Sequence, residues 1–596
     1  MKINFLFFFL ALMSFNARCQ TTIAGGSVSG TWTLAGSPYH VSGSIMIPDG
    51  TTLTIDPGVT VVFHGTYKLL VLGRLLANGT ATDTITFRPA ASVSNWRGIR
   101  FDNTLSSNDT SRIRYVKISQ SSATGAAPDD NGGAFYFNNF SKAVISNCLI
   151  SDCYSAVNGG SVFCSGSSPV ITNNTITHSH AVVSGGGICC LANSHPFISQ
   201  NTISNCSAGN GGGIFCISGS NPNITYNSIV SDTASDNYGG GILCYNCSPV
   251  IEHNLISYNI AKEYGGGIHC TNNSTAVISN NTISYNTSIL YGGAGIFYST
   301  DSPGTAITNN VICNNKANTE GGAIYGSGNN NSIYNNVVAN NRALRGGGFY
   351  FIGSTSKVTN NTIVNNSSGW GAGVYCVNSD PLFKNCILYG NKADTSGAQV
   401  YLYDEPSDPA FTYCDIKGSS AAFDCNGNFF TGTYANNLDT TPLFTLSSGG
   451  SGLAFDGIAA DWSLSDPSGC INSGDPAATY PATDIAGNPR VTGGRIDIGA
   501  FESQGPAGIN DLNADLLKIY PNPFETSAVV EFPQVVDGIT LALYTVSGSK
   551  VWQTERFSGK SITIERDALP AGIYLLRISQ GTSSLTTRRL VIMPVK

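Results

Sequence analysis

Charged residues and long apolar runs are both scarce in this 596-residue chain. Only 11% of the residues are charged, and the net charge of -7 is spread along the sequence. This balance argues against a nucleic-acid groove or a site for an anionic membrane surface. Beyond the first residues, no segment approaches the roughly 20 consecutive apolar residues of a membrane helix, so the sequence predicts no transmembrane span.

Strong helix formers are also few, whereas 68 glycines are accompanied by many Asn, Ser and Thr residues. Such a composition favours short strands joined by tight turns and argues against a helical fold. The length exceeds that of one compact core, so we expect either several domains or one elongated repeat array. The composition favours the array.

The amino terminus has the features of an export signal. An apolar run from Phe5 to Met13 follows a short polar start, and it is too short to span a bilayer. We predict a signal peptide over residues 1–19, cleaved before Gln20. Lipidation of Cys19 is the alternative, but Arg18 stands where lipidation sites require a small residue.

An Asn-x-(Ile/Leu/Val) motif returns at steps of 24 to 29 residues, most of them 26 or 27. A period of that length is typical of a solenoid, in which each unit buries its apolar face by stacking on its neighbours. Three short apolar alternations per unit predict one rung of a triangular coil with parallel strands about 4.8 Å apart. The aligned asparagines are Asn147, Asn174, Asn201, Asn227, Asn254, Asn281, Asn310, Asn336, Asn361 and Asn385.

Aligned columns of the repeat predict the side-chain positions. A column of aliphatic residues that includes Ile188, Ile214 and Ile242 should point inward, and the glycines before it should permit positive φ at a sharp corner. The motif asparagines fit a second corner, where Asn tolerates the left-handed conformation and its amide can bond the Asn above and below. In the column five residues later, Asp152 and Asp232 are interpreted as turn acceptors.

Sixteen cysteines remain after removal of the leader. An even number in an exported protein is typical of a disulfide framework. However, Cys164, Cys190, Cys216, Cys244 and Cys270 share one inward column with parallel Cβ directions, which favours a buried ladder of thiols. Three bridges stay open as alternatives: Cys148 with Cys153, Cys244 with Cys247, and Cys414 with Cys425.

An outward column between the Ile and Cys columns is rich in aromatic residues. Exposed apolar patches on soluble proteins mark contact sites, and flat rings suit the apolar faces of sugars, so we predict a ligand-binding stripe there. Coverage of the stripe by corner loops is the alternative. The predicted binding residues are Tyr136, Phe163, Phe215, Phe297, Tyr325, Tyr350 and Tyr375.

Candidate catalytic and metal-binding residues are few. Acidic side chains on the coil, such as the pair Asp129 and Asp130, are out of register with one another. His178 and His180 would place two imidazoles on one side of a strand, without a His or Cys cluster beside them. We predict no cofactor and no metal, with Ca²⁺ as an unsupported alternative. Lys316, Arg342 and Lys392 recur at matching turns, and we interpret them as solvated turn charges with one ion pair expected between Glu320 and Arg345. A basic strip that meets anionic sugars is the alternative.

The stretch from Tyr39 to Phe101, together with the repeats that follow, resembles the right-handed parallel β-helix proteins of the pectin-lyase-like superfamily. The resemblance covers about four hundred residues of this sequence. It implies the fold but not the activity, because that fold carries polysaccharide lyases, hydrolases, epimerases and non-catalytic surface proteins. The Asn-Thr-Asp and Gly-His-Gly succession of the hydrolases is absent here.

Two further resemblances concern the carboxy-terminal third. Residues 439–502, with motifs such as "DIAGNPR" and "RIDIGAFE", resemble the choice-of-anchor Q domain. We interpret Asp484, Arg490, Asp497 and Glu502 as a salt-bridged cap on the open end of the coil. The motifs "IYPNPF", "LYTVSGSKVW" and "LPAGIYLLRIS" are similar to the type A sorting domain of type IX secretion. That similarity implies export across the outer membrane by the type IX machinery.

These observations predict an all-β protein, a right-handed parallel β-helix solenoid followed by a small Ig-like β-sandwich. The predicted parts are a signal peptide (1–19), an N-terminal cap with the first rungs (20–120), the β-helix repeats (121–437), the choice-of-anchor Q-like cap (438–502), a linker (503–514) and the sorting domain (515–596). The predicted function is a secreted or surface-displayed, non-catalytic protein that binds polysaccharide or another surface. A polysaccharide lyase or glycoside hydrolase is the alternative.

Overall fold

A computed structural model of the protein describes residues 20–328, 331–477, 480–492, 494–504, 517–546, 548–554, 556–580 and 583–594. The predicted signal peptide and all but the first two residues of the predicted linker lie outside the described residues. Among those that are described, residues 21–435 form a parallel coil with three long sheets of 16, 15 and 16 strands. The predicted all-β solenoid is therefore confirmed.

Each turn of the coil adds one strand to each sheet, in the order sheet 1, sheet 2, sheet 3, except the last turn, which adds strands to sheets 1 and 3 only. Sheet 1 contains Thr21–Ile23, Tyr39–Val41, Thr60–Phe63, Ile85–Pro89, Val116–Ser119, Leu149–Ser151, Thr175–Thr177, Thr202–Ser204, Ser228–Val230, Leu255–Ser257, Thr282–Ser284, Val311–Cys313, Val337–Ala339, Thr362–Val364, Ile387–Tyr389 and Asp415–Ile416. Sheet 2 contains Gly26–Ser27, Ile45–Ile47, Leu69–Val71, Ile99–Asp102, Phe135–Asn138, Val162–Ser165, Ile188–Leu191, Ile214–Ile217, Ile242–Tyr245, Ile268–Thr271, Ile296–Tyr298, Ile324–Gly328, Phe349–Ser354, Val374–Val377 and Val400–Leu402.

Sheet 3 contains Gly30–Trp32, Thr52–Ile55, Arg74–Asn78, Ser111–Arg114, Ala143–Ser146, Val170–Thr172, Phe197–Ser199, Asn223–Thr225, Val250–Glu252, Val277–Ser279, Ala306–Thr308, Ser332–Tyr334, Lys357–Thr359, Leu382–Lys384, Ala410–Thr412 and Tyr434–Ala435. A narrow strip lies between sheets 1 and 2. It contains Ser122–Ala123, Tyr154–Ser155, His180–Ser184, Ser207–Asn210, Thr233–Ala234, Ile260–Ala261, Thr287–Ser288 and Lys316–Ala317, and a later pair, Ser367–Trp370 and Lys392–Ser396. Two short 3₁₀ turns, Leu34–Gly36 and Ser420–Ala422, accompany the coil.

The inward aliphatic column of sheet 2 is in continuous register. Ile188 pairs with Ile214, which pairs with Ile242, and each of these side chains is completely buried. Because parallel pairing places like on like, one residue per rung builds a central apolar file, and each buried aliphatic contributes about 1.5–3 kcal/mol. The predicted inward column is confirmed. The first strand of the coil is Thr21–Ile23, so the rungs predicted within 20–120 are present.

The glycine corner of each rung needs glycine for two separate reasons. Gly211, the first of its triplet, has a φ of 60°, which side-chain-bearing residues rarely adopt. Gly212, the second, faces the next rung so closely that a Cβ there would lie 2.6 Å from the carbonyl oxygen of Gly240. The predicted positive φ is confirmed, and the close approach explains why the second glycine recurs as well.

Asparagine side chains form two ladders that run along the coil. In the first, Asn174 Nδ2 donates to Asn201 Oδ1 at 3.0 Å, and this bond repeats from rung to rung as far as Asn361. In the second, the same contact links Asn259 to Asn286 and continues to Asn391. These buried amides also donate to strand carbonyls, so their polar atoms are satisfied inside the coil.

The alignment of the motif was wrong by one residue in two rungs. Asn147 and Asn385 do not belong to the ladder; they have φ values of 55° and 52°, and Cys148 and Cys386 occupy the ladder positions. Asp152 likewise lies at a left-handed corner, one residue before the ladder position. The structure also separates two roles that we had assigned to one asparagine, because the left-handed residue is the one that precedes each ladder asparagine.

All sixteen cysteines of residues 20–596 are free thiols, and fifteen of them are buried. Cys164, Cys190, Cys216, Cys244 and Cys270 pair in register along sheet 2. The thiol ladder is therefore confirmed, and the three alternative bridges are not formed.

The carboxy-terminal end of the coil is covered by the chain that follows Ile416. The rings of Phe423 and Phe430 and that of Tyr434 pack over the last rungs, with Phe423 5.2 Å from Phe411. The prediction that residues 438–502 close this end is wrong. The segment that does so, residues 417–434, gave no recognisable signal because its aromatic residues follow no period.

Residues 438–502, which we name the flank segment, lie instead along the side of the coil. They contain the strands Phe444–Leu446 and Asp461–Leu464. Trp462 is buried in a cluster with sheet 1 residues from four successive rungs. Corner asparagines of the coil hold the segment, since Asn340 Nδ2 donates to the Gly450 carbonyl at 2.8 Å. Lys384 and Asp475 add an ion pair of 2.8 Å.

The charged residues of the flank segment serve its own turns. Asp484 Oδ1 accepts from the backbone N–H of Asn488 at 2.8 Å, and Glu502 Oε1 accepts from that of Thr492 at 2.9 Å. Asp497 Oδ1 accepts from the N–H of Asn472. No ion pair within 4.0 Å joins Arg490 to a carboxylate of the described residues. The interpretation as a salt-bridged cap is therefore wrong, although all four side chains are buried together.

The carboxy-terminal unit is antiparallel and has a core of its own. Its strands are Lys518–Tyr520, Ser527–Thr545, Lys550–Gln553, Phe557–Glu565, Gly572–Gln580 and Ser583–Ile592. Its core includes Phe524, Leu541, Leu576 and Ile592. This arrangement agrees with the predicted small β-sandwich.

Asp232 interrupts the second ladder and gives a first prediction. Its Oδ1 accepts from the Cys206 N–H at 2.7 Å, but Oδ2 is buried without a partner in the described structure. In Asp232→Asn the new amide would replace that oxygen and could donate to Asn259 Oδ1 as the other ladder members do. We expect the free energy of unfolding to rise by about 1–3 kcal/mol, measured by chemical denaturation.

The same substitution should change the pH dependence. Burial raises the pKa of Asp232 well above its ordinary value of 3.8. The stability linked to this group is therefore full below pH 3.8 and falls as the pH rises through the folded-state pKa. The advantage of Asp232→Asn should grow over that interval. Asp152→Asn, at an exposed corner, is the control; equal effects of the two substitutions would contradict the assignment.

Gly212→Ala gives a second prediction. Its Cβ would meet the backbone of Thr233 at 2.5 Å and that of Gly240 at 2.6 Å, and neither can move without shifting a rung. We expect a loss of about 3 kcal/mol or more by denaturation. Gly304→Ala is the control, because that site has a φ of 86° but no atom within 4 Å, so only backbone strain applies. A loss for Gly212→Ala no larger than for the control would contradict the steric argument.

Candidate functional site

The aromatic stripe points outward from sheet 2, yet it is mostly covered. Six of the seven predicted residues are between 3 and 9% exposed, and only Tyr325 is half-buried. The six are Tyr136, Phe163, Phe215, Phe297, Tyr350 and Tyr375. The expectation of an exposed stripe is therefore wrong for these six, whereas ligand binding by the seven residues stays a prediction.

Stacking explains why these rings are hidden. Phe297, Tyr325 and Tyr350 follow one another with centroids 4.9 Å apart and planes inclined by 29°. Rungs that repeat at about 4.8 Å place like rings face to face, so the ring faces contact each other. A sugar ring needs a free face, and the stripe offers none along most of its length.

A second set of side chains lies above the stripe at the corner between the strip and sheet 2. We name it the crest; in five rungs it consists of the residue immediately before the first glycine of the corner, and in the rung between Tyr264 and Glu320 it consists of Tyr291, because Gly292 occupies the position before Gly293. Its exposure is partial, with Tyr291 at 41%. The crest residues are Tyr238, Tyr264, Tyr291, Glu320, Arg345 and Trp370.

Tyr264 lies at the centre of the crest. Its ring stacks on Tyr291 at 4.8 Å and 18°, and meets Tyr325 edge-on at 5.8 Å. Tyr238 lies on the other side at 6.2 Å. Within the described residues no further ring stacks on Tyr291, so one face of Tyr291 is free of aromatic neighbours. The series of stacked rings in the crest therefore ends at Tyr291. In the buried stripe, by contrast, the ring faces are covered by neighbouring rings.

Charged groups follow directly after the tyrosines. The Arg345 guanidinium contacts Glu320 Oε1 at 3.1 Å, which confirms the expected ion pair. Burial, with a contribution from Glu320, raises the pKa of Tyr264 to about 12, so its hydroxyl stays protonated. Beneath the tyrosines, burial lowers the pKa of His269 to about 3, which keeps this imidazole neutral. The crest therefore combines ring surface with hydrogen-bonding hydroxyl, carboxylate and guanidinium groups.

The sequence did contain a signal for the crest. Tyr238 and Tyr264 stand immediately before glycine triplets, in the stretches Asn-Tyr-Gly-Gly-Gly and Glu-Tyr-Gly-Gly-Gly, and Tyr291 precedes Gly-Gly-Ala. The residue before a tight corner projects from it, so the variable residue of this column, and not the strand residue, reaches the surface.

The remaining candidates are dispersed. Asp129 is engaged by Lys68 at 2.7 Å and by Arg97 at 3.6 Å. His178 lies at a left-handed corner with a φ of 52°, so it does not share one side of a strand with His180, and that expectation is wrong. In the described part of the chain, no group of three or more His, Cys, Asp or Glu side chains could hold a metal ion.

Comparison with known proteins identifies two regions. The family model for the right-handed β-helix region matches residues 97–265 and 266–438, which together make up more than half of the chain. The chain therefore belongs to the right-handed β-helix family. The model for the secretion system C-terminal sorting domain matches residues 518–593. Export by type IX secretion to the cell surface or the extracellular space follows from this tail.

Other comparisons add little. No curated protein matches the chain. Among solved structures, the crystal structure of the Dettilon tailspike protein is similar at 12% identity, over 95% of this chain and 84% of that chain, with a TM-score of 0.21. A score at this level carries no argument. No helix of the described residues is long and apolar enough to cross a membrane.

Proposed function

We propose that this secreted β-helix protein is a non-catalytic binding protein and that the crest binds polysaccharide. The observation that carries the proposal is the 41% exposed ring of Tyr291, which stacks on Tyr264 one rung before the ion pair of Glu320 and Arg345. Aromatic rings beside polar groups with fixed positions suit a sugar, which has apolar faces and a rim of hydroxyls.

The stacked geometry supports binding with little reorganisation. Tyr264 and Tyr291 are held by the coil and by each other, so little side-chain entropy is lost when a ligand docks. Ring-to-ring contacts continue into the buried stripe through Tyr325. In this proposal the buried rings of the stripe pack beneath the crest and hold its tyrosines in place.

The composition of the crest argues against hydrolysis at this site. A glycoside hydrolase uses two carboxyl groups on either side of the scissile bond. The six crest residues include one carboxylate, Glu320, and Arg345 already contacts it at 3.1 Å. The nearby carboxylate of Glu263 is engaged by the Tyr238 hydroxyl. A Ca²⁺-dependent lyase site would require clustered carboxylates, and the described residues contain no group of three or more His, Cys, Asp or Glu side chains that could hold a metal ion.

The proposal predicts that Tyr264→Ala combined with Tyr291→Ala weakens binding by about 10- to 100-fold, because two ring contacts contribute roughly 0.5–1.5 kcal/mol each beyond their buried area. The measurement is titration calorimetry of the purified protein with soluble β-glucan, galactomannan and xylan. Circular dichroism of each variant checks that the coil is intact.

Tyr258→Ala is the matched control, since Tyr258 is 46% exposed and stacks on Tyr285 at 4.9 Å on another corner of the coil. Equal losses in the control and the crest variant, or no binding to any of the three polymers, would contradict the proposal. New reducing or unsaturated chain ends after incubation would refute its non-catalytic part.

A further inference from the structure

A separate groove runs along the corner between sheet 3 and sheet 1. It has a volume of about 290 Å³ and spans four successive rungs. Its floor and walls come from strand ends of sheet 3 and from the corner residues that follow them. The lining residues are Asn78, Arg112, Arg114, Val144, Ser146, Asn147, Thr172 and Asn173.

Two arginines in the groove have no acidic partner in the described part of the chain. Arg112 and Arg114 alternate on the strand Ser111–Arg114, so both side chains project outward, and both are exposed. Neither forms an ion pair within 4.0 Å with any described residue. No carboxylate lines the groove, although the chain as a whole carries a net charge of -7. The two unpaired guanidinium groups therefore make the groove locally positive on a chain whose net charge is negative.

The register explains how the arginines are presented. Arg112 lies between Leu76 and Val144, which can pack against its stem, and Arg114 lies between Asn78 and Ser146. The Arg114 guanidinium also stands over the ring of Tyr115 at 5.1 Å. The apolar stems are thus supported by the coil while the charged ends face the groove.

Hydrogen-bond donors surround the two guanidinium groups. Asn147 and Asn173 occupy left-handed corners, with φ values of 55° and 56°, that open onto the groove. The hydroxyls of Ser146 and Thr172 lie in the same lining. A ligand group with several acceptor oxygens would therefore find both charge and neutral donors.

We propose that this groove binds the sulfate or phosphate ester of an anionic glycan. Guanidinium forks bind tetrahedral oxyanions and carboxylates bidentately. Only an oxyanion with three free oxygens can engage two neighbouring forks and still accept from the amides and hydroxyls beside them. A carboxylate has two oxygens, which one fork already occupies.

The small number of positive charges in the groove indicates which class of anionic polymer fits it. Nucleic acid carries a phosphate at every step and is bound by a continuous track of cations. Here both arginines lie on one rung, and the neighbouring rungs contribute uncharged residues. A glycan with widely spaced ester groups fits this arrangement. The site is independent of the crest, which lies on a different corner of the coil.

The test measures binding of dextran sulfate to the full-length protein, with unmodified dextran, polygalacturonate and single-stranded DNA as comparison polymers at equal ionic strength. We expect dextran sulfate to bind best and inorganic phosphate to compete. Arg112→Ala combined with Arg114→Ala should weaken dextran sulfate binding about tenfold or more. The pair Arg112→Lys and Arg114→Lys should give an intermediate loss, because the charge stays but the fork is removed.

The control is Lys357→Ala combined with Lys392→Ala, which removes two exposed cations of the coil outside the groove. An equal loss of dextran sulfate affinity in this control would show that the effect depends only on the net charge of the protein, and it would overturn the proposal. Unchanged affinity of the double arginine variant would do the same, as would equal or tighter binding of polygalacturonate or single-stranded DNA. The crest variant should bind dextran sulfate normally, so failure of one site is distinguishable from failure of the other.

Discussion

The hydrogen bonding of each rung to the rungs before and after it is the constraint on which the rest of this protein depends. It places equivalent residues about 4.8 Å apart over more than a dozen turns. A side chain that recurs inside the coil must therefore be able to lie against a copy of itself. Isoleucine meets this condition by shape, asparagine by donating and accepting at once, and cysteine by being small and apolar.

The same constraint decides where a ligand can bind. Aromatic residues that repeat in register stack on one another, and their faces are lost to the solvent. Both surfaces to which we assign ligands, the crest and the arginine groove, lie where the residue type changes from one rung to the next. At the crest, tyrosines give way to Glu320 and Arg345, and in the groove, Arg114 stands between Asn78 and Ser146. A change of residue type along a column ends the stacking of like on like, and it places groups of different chemistry side by side at the surface.

The period of the sequence was sufficient to predict the solenoid, the inward column of Ile188 and its equivalents, and the positive φ of Gly211. It was not sufficient at Asn147, because Asn is favoured at both the left-handed corner and the ladder position beside it. Burial of Tyr350 could not be read from strand alternation, which fixes the direction of a side chain but not how closely the rings of successive rungs cover one another. The position of the flank segment depends on contacts between residues more than one hundred positions apart, such as Asn340 Nδ2 with Gly450.

The course of the flank segment has a mechanical consequence. A pull on the chain from its carboxy-terminal side reaches the flank segment before it reaches the last rung of the coil. Because this segment lies lengthwise against sheet 1 and is fastened at several successive corners, the load is applied in shear to many bonds at once. Without it, the same pull would peel the final strands away one hydrogen bond at a time, which needs far less force. The flank segment thus protects the last rungs of the coil, where strands can be removed singly. It lets the solenoid resist a pull at the point where the rest of the chain is attached.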